Sequence, residues 1–305
     1  MTGAALAPGA VLGFVGLGNM GAPMARRLVR AGYLLRCHDA DAAALATVSG
    51  AGATPVPDVR AVAEGAEAVL LMLPSSDVVE RVVFADGLLA AMAPGSVLVD
   101  MGSSRPHSTR EVAARAREHE VAFVDAPVSG GVAGARSGSL TIMAGGRDGD
   151  VARVERVLAE LGERVLHVGG VGAGHALKAL NNLMSATHLL VTSEAVLAGE
   201  EFGLDPKVVL DTVNTSSGRS GSTETKWPRY VLTGSYDSGF GARLMVKDMR
   251  IAVELARESG WPALLGEHAV RLWSRAAEEL DPGADHTEIV EWLRKRHTEQ
   301  GEEPA

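Results

Sequence analysis

Cysteine is almost missing. Cys37 stands alone among 305 residues, which excludes an intrachain disulfide and a cysteine-based metal cluster and leads us to expect a reducing cytosol. Basic charge is also short: 29 Lys and Arg face 38 Asp and Glu, a formal net of −9, and such a chain repels a phosphate backbone. We therefore expect no nucleic-acid partner. Residues 1–10 lack the basic start and apolar run of a signal peptide, so export is not expected. No long apolar run is uninterrupted either. The most apolar stretch, residues 176–197, contains Lys178, Asn181, Asn182, His188 and Glu194, which hydrocarbon tolerates poorly, so no membrane association is expected. His38, His167, His175 and His188 show no metal-ligand spacing, and no metal is expected. Aromatics make up only 4%; Trp227, Trp261, Trp273 and Trp292 read as core or subunit-interface anchors.

What the chain does have is 46% hydrophobic residues, 36 Gly and 13 Pro, enough for a sizeable core broken by many turns. Up to residue 168, short apolar runs at 11–15, 34–38, 68–73, 96–100, 121–124, 140–144 and 165–168 alternate with helix-period segments such as 106–119 and 151–161. That alternation predicts an α/β domain, a doubly wound sheet of parallel βαβ units. After the cluster Gly169, Gly170, Gly172 and Gly174 the strand-like runs stop. The rest predicts helices at 175–202, 206–213, 244–259, 262–280 and 286–297, with a polar tail at 298–305. The expected organisation is a Rossmann-type cofactor domain over residues 1–170 and an all-α domain over 171–305, joined by a long interdomain helix.

Gly16, Gly18 and Gly21 form a G-x-G-x-x-G directly after the first apolar run, with Leu17, Asn19 and Met20 between them and Pro23 near the first turn of the following helix. In that context Gly16 permits a tight turn, Gly18 lets backbone N–H groups approach a pyrophosphate, Gly21 allows close helix packing, and the helix start favours the anion. Asp39 ends the next strand, 18 residues after Gly21. A carboxylate there accepts hydrogen bonds from a ribose diol and repels a 2′-phosphate, which favours NAD over NADP, although Arg36 lies nearby. Leu73, Pro74 and Ser103 occupy strand-end positions on the cofactor side of such a sheet.

Lys178, Asn182 and Ser185 fall at i, i+4 and i+7 of the long helix and make one polar stripe. A lysine in that setting either ends in solvent or is poised for chemistry, where partial desolvation would bring its proton affinity toward the working pH. Asn182 can then hold the reacting oxygen or the lysine. Ser129, Gly130 and Gly131 read either as a connector or as a cradle of N–H groups and a hydroxyl for a carboxylate. Lys247 and Asp248, after Phe240, read as a cleft-side turn or as a solvated helix start.

Four stretches together, 13–24 (GFVGLGNMGAPM), 125–131 (DAPVSGG) with Gly134, Ala135 and 138–146 after it, 172–182 (GAGHALKALNN) and 239–248 (GFGARLMVKD), resemble the β-hydroxyacid dehydrogenases. The resemblance runs over essentially the whole chain. It implies NAD(P)-dependent interconversion of a β-hydroxy acid, a small anionic substrate of the 3-hydroxyisobutyrate kind, and its semialdehyde. It further implies Lys178 as general acid/base, Asn182 orienting the substrate, and Ser129, Gly130 and Gly131 holding the substrate carboxylate. Lys247 would lie against cofactor and substrate with Asp248 supporting it and Phe240 beside them. Family members typically carry threonine at the Ser103 position, so a hydroxyl is retained. In the stretch 216–222 (SSGRSGS), hydroxyisobutyrate enzymes carry a bulky aromatic near Gly221; a wider pocket is expected here, and Arg219 is either a second anion ligand or a surface arginine. A homodimer or homotetramer through the helical half is expected. An imine reductase and a catalytically idle NAD-binding protein are the competing readings, and the presence of Lys178 argues against both. A 6-phosphogluconate-type substrate would call for a larger C-terminal domain and a basic phosphate cluster.

Overall fold

The computed structural model describes residues 4–301. The chain divides into two compact units, Met1–Lys178 and Ala179–Ala305. The first contains a nine-stranded sheet of β1 (Val11–Val15), β2 (Leu34–His38), β3 (Thr54–Pro55), β4 (Ala68–Leu71), β5 (Val97–Asp100), β6 (Ala122–Asp125), β7 (Val128–Ser129), β8 (Thr141–Gly145) and β9 (Arg164–Gly169). Its order is β3-β2-β1-β4-β5-β6-β8-β7, with β9 pairing β8. Strands β1 to β6 pair in parallel. Buried on both faces, their central members are continuous apolar runs such as VLGFV and AVLL rather than alternating ones.

The direction of winding reverses between β1 and β4, and ligands of open α/β sheets sit outside the strand ends at that switch. The parallel βαβ units run from β1 to β6; beyond them β8 runs antiparallel to β6 and β7. β6 and β7 follow one another in the same direction, and the segment between β7 and β8, which carries the helix Gly131–Ser137, brings the chain back antiparallel to both. Two apolar clusters cover the two faces, one around Phe14, Leu28, Leu70 and Ile142 and the other around Val69, Leu71, Leu98 and Phe123.

The long helix spans Ala173–Glu201, so its first turn and a half belong to the first unit and the remainder to the second. In the second unit, further helices cover Pro206–Asn214, Ala242–Glu258, Leu264–Glu279 and Ile289–Gly301. The last of these runs past the expected end at residue 297; the remainder of the anticipated tail, 302–305, lies outside the described residues. The wider helical segment Ser222–Val231, which has Pro228 inside it, was not anticipated because proline signals a break. Trp227 and Trp273 are fully buried at the centre of this unit and Trp292 nearly so, whereas Trp261 is 73% exposed. No helix among the described residues is long and apolar enough to cross a membrane.

Candidate active site

In the first unit, three loops meet at the strand ends. Gly16 turns at φ +95°, and a β-carbon on it would stand 2.4 Å from the Met72 carbonyl oxygen and 3.1 Å from Leu73 Cδ2. A β-carbon on Gly102, just after β5, would meet the Leu73 carbonyl oxygen at 2.6 Å. The loops after β1, β4 and β5 are thus in contact, which brings Leu73 to the glycine turn and places Ser103 beside it. Pro74 is exposed and Ser103 half-buried. Gly21 sits so close to Gly16 that a β-carbon would fall 1.9 Å from the Gly16 carbonyl oxygen.

Gly18 differs from its two neighbours in the motif. Nothing lies within 4 Å of where its β-carbon would be, and Gly18 and Asn19 are exposed while Met20 is half-buried. The helix that follows, Gly21–Arg30, starts without a side-chain cap. Open space over a glycine backbone next to an uncapped helix start fits a dinucleotide pyrophosphate. Leu17 contributes through its backbone, because its side chain is in the core and its N–H donates to Asp39 Oδ2 at 2.5 Å. Asp39 Oδ1 accepts from Asp41 N at 2.8 Å. Both carboxylate oxygens are thereby fixed at the end of β2. Arg36 is held away from that position: its guanidinium donates to the Ala61 carbonyl and to Glu64.

Ser129 ends β7, and Gly130 and Gly131 follow at φ +130° and +62°, opening the helix Gly131–Ser137. Four residues before Ser129, the buried Asp125 accepts from Gly172 N at 2.7 Å and His175 N at 3.0 Å, at the start of the long helix. Lys178 follows one turn later and is half-buried. The strand that leads to Ser129 and the helix that carries Lys178 are therefore hydrogen-bonded to each other. Nothing in residue spacing announces this link; Asp125 merely opens the DAPVSGG stretch. His175, expected to be structural, is enclosed with Nδ1 2.7 Å from Thr109 Oγ1.

In the second unit, Asn182 Nδ2 donates to Asp248 Oδ2 at 2.6 Å, and Lys247 Nζ lies 3.1 Å from Asp248 Oδ1. Asp248 is completely buried. It supports Lys247 and also fixes the orientation of Asn182, a role sequence reading did not assign to it. Lys247 and Asp248 lie inside the helix Ala242–Glu258, not on a turn. The glycine-rich run before them ends at Gly241, and the helix begins at Ala242.

Ser185, the third member of the stripe, accepts from Lys226 Nζ at 2.8 Å. Lys226 was missed because the segment around Pro228 gave no helical signal. Phe240 is tied into a different group: its N–H donates to Asp285, its carbonyl accepts from His286 N, and its ring meets the His286 ring edge-on at 5.9 Å. Asp285 also accepts from Ser238, Gly239 and Thr287. Burial works to raise its pKa, but hydrogen bonds from His286, Thr287 and Ser238 outweigh this and hold it well below the usual carboxylate range. Asp285 and Glu288 form a capping box at this helix start. Arg219 is 63% exposed and lies 3.6 Å from Glu224. The hydrogen bonds of Phe240 thus run to Asp285 and His286, and Arg219 pairs with Glu224.

Comparison with known proteins fits this arrangement. Residues 11–169 match the NAD-binding domain of 6-phosphogluconate dehydrogenase, and 172–293 match the NAD-binding family of NADP-dependent 3-hydroxyisobutyrate dehydrogenase. The chain belongs to the β-hydroxyacid dehydrogenase family. It is 37% identical to the human mitochondrial 3-hydroxyisobutyrate dehydrogenase over 94% of this chain and 88% of that one. It is 38% identical to the NAD-dependent L-serine dehydrogenase of Pseudomonas aeruginosa, over 86% and 90%. The solved structure of Mycobacterium tuberculosis 3-hydroxyisobutyrate dehydrogenase with L-serine superimposes with a TM-score of 0.88 at 31% identity, over 94% of this chain and 99% of that chain. Like other members of the family, this dehydrogenase is an NAD-binding oxidoreductase acting on a CH–OH group.

Proposed function

We propose that this dehydrogenase interconverts a short β-hydroxy acid and its semialdehyde with NAD, using Lys178 to move the hydroxyl proton. When bound, the dinucleotide supplies the hydride acceptor or donor. Gly16 to Gly21 and the uncapped helix start would hold its pyrophosphate, Asp39 its adenosine ribose, and Leu73, Pro74, Ser103 and Lys247 its remaining length. Ser129 and the N–H groups at Gly130 and Gly131 bind the substrate carboxylate, which fixes the hydroxyl at the β-carbon. Lys178 takes the hydroxyl proton during oxidation and returns it during reduction. Asn182, turned by Asp248, orients the oxygen and Phe240 would flank the substrate; the exposure of Arg219 and its pairing with Glu224 support the surface-arginine reading.

The observation that carries this reading is the hydrogen-bonded link through Asp125 between the strand before Ser129 and the helix of Lys178, which supports carboxylate binding and proton transfer by neighbouring elements. Arg36 is occupied by Glu64 and Ala61, which supports NAD over NADP. We expect Lys178→Met to lower kcat by about a thousandfold or more while NAD affinity stays within about threefold, read by steady-state rates on a panel of C3 to C6 β-hydroxy acids and by fluorescence titration. Turnover by Lys178→Met close to that of the parent would overturn the assignment.

We assign residues 1–170 to cofactor binding and the all-helical 171–305 to substrate binding and self-association. Met184, Val191, Trp261, Leu264 and Leu265 are exposed apolar side chains of the helical half and support a homodimer or homotetramer. Cys37 is buried, and burial pushes its thiol pKa up to about 11. An inert reduced thiol suits the cytosol, an assignment that cell fractionation placing the protein in an organelle would refute.

A further inference from the structure

Two carboxylates lie buried at the ends of neighbouring strands. Asp100 and Asp125 are register partners at the ends of β5 and β6, and both are shielded from solvent. Burying such a group is unfavourable unless hydrogen bonds compensate it. For Asp125 the compensation comes from a helix start 47 and 50 residues away, through Gly172 N on Oδ1 and His175 N on Oδ2. Those N–H groups have no partner within their own helix, and the helix dipole favours a negative group there.

The surroundings are shaped to this contact. A β-carbon on Gly145 would meet the two Asp125 carboxylate oxygens at 2.6 and 2.8 Å, and one on Gly174 would meet Oδ2 at 2.9 Å. Side chains at either position would displace the carboxylate. The same helical turn is held at a second place by the His175 ring. Its Nδ1 lies 2.7 Å from Thr109 Oγ1, which in turn donates to the Arg105 carbonyl at 3.0 Å. His175 Nε2 faces Asp100 Oδ2 at 3.7 Å, and Asp100 is itself fixed by Gly102 N and Ser104 Oγ. Lys178 comes three residues after His175, on the same side of the helix and about 4.5 Å further along its axis.

We propose that Asp125 is a positioning residue for the dehydrogenase reaction: by clamping the first turn of the helix Ala173–Glu201 to the end of β6, it sets where the Lys178 amine stands relative to Ser129. The proposal rests on Lys178 being the proton-transfer group. A purely structural role would leave any folded variant fully active, whereas misplacing a catalytic group by about 1 Å can cost up to a hundredfold in rate.

The test is Asp125→Asn, which keeps the shape but turns one of the two acceptor oxygens into a donor facing an N–H. Expected are a fall in kcat of about tenfold or more, a change in substrate KM of less than about threefold and an unchanged NAD dissociation constant. A parent-like kcat in folded Asp125→Asn refutes the proposal, as does a loss of activity that only parallels a loss of NAD binding and of the thermal transition. Lys178→Met is measured beside it. If that variant is inactive while Asp125→Asn is parent-like, positioning alone fails; if it is active, the lysine assignment on which positioning rests fails. Should Asp125→Asn not fold, Thr109→Val removes the hydroxyl holding the His175 ring, with an expected fall in kcat of about threefold at constant NAD affinity. An unchanged kcat in Thr109→Val then overturns the proposal.

Discussion

Replacing Asp39 with serine tests the cofactor assignment at one side chain. Asp39 is half-buried at the end of β2, fixed by the Leu17 and Asp41 N–H groups, and Arg36 is turned to Glu64. A 2′-phosphate at this position would therefore meet a carboxylate while the nearby Arg36 guanidinium is engaged by Glu64 and the Ala61 carbonyl. Two unit charges about 4 Å apart near a protein surface repel by about 4 kcal/mol. Partial exposure and salt reduce this to about 2–3 kcal/mol even for a dianionic phosphate. That corresponds to a preference for NAD of about 30- to 150-fold. Asp39→Ser removes the repulsion and also a charged acceptor for the ribose diol, so activity with NAD falls while activity with NADP rises or falls less. The ratio of kcat/KM for NAD to that for NADP should drop by about a hundredfold, measured from initial rates with both cofactors at one saturating hydroxy acid. A ratio unchanged within about twofold, or a parent that already prefers NADP, would show that Asp39 does not select the cofactor.

The group around Asp285 predicts stability against pH. Its lowered pKa means the folded state gains from the carboxylate above the ordinary aspartate range, and this gain is lost as pH falls toward the folded value. His286 adds to the trend: burial lowers its pKa, outweighing the opposing contact with Asp285, so only the unfolded chain takes up the proton as pH drops through about 6.5. Asp285→Ala should cost about 3 kcal/mol by leaving buried donors without partners, roughly 10 °C in the melting temperature of the helical unit at neutral pH, and should flatten the acid dependence in calorimetry. Loss of stability without any change in that dependence would count against it. Sedimentation should find a dimer or tetramer at micromolar concentration; a monomer throughout would refute the self-association proposed from the exposed apolar residues.

Much of the first unit was legible because its signals are local. The runs at 11–15 and 34–38 became β1 and β2 without change of boundary, since apolar segments bounded by turn residues have no other way to bury themselves. Strands β3 and β7 escaped notice because two residues carry no period. The helix through Pro228 escaped because tertiary packing around Trp227 overrides what proline signals locally.

The sequence by itself determined the glycine turn, the acid after the second strand, the lysine and asparagine on one helix face and the family to which they belong. Each depends on spacing within a few residues, where backbone geometry leaves little choice. Tertiary structure alone decided which polar groups serve one another. Asp125 reaches a helix start 47 residues away, Asp248 reaches Asn182 across 66, and Asp285 gathers Ser238, Gly239 and Phe240 from more than 40 residues back. Spacing does not encode such partners, because a buried carboxylate must take whichever N–H groups the packed fold brings to it.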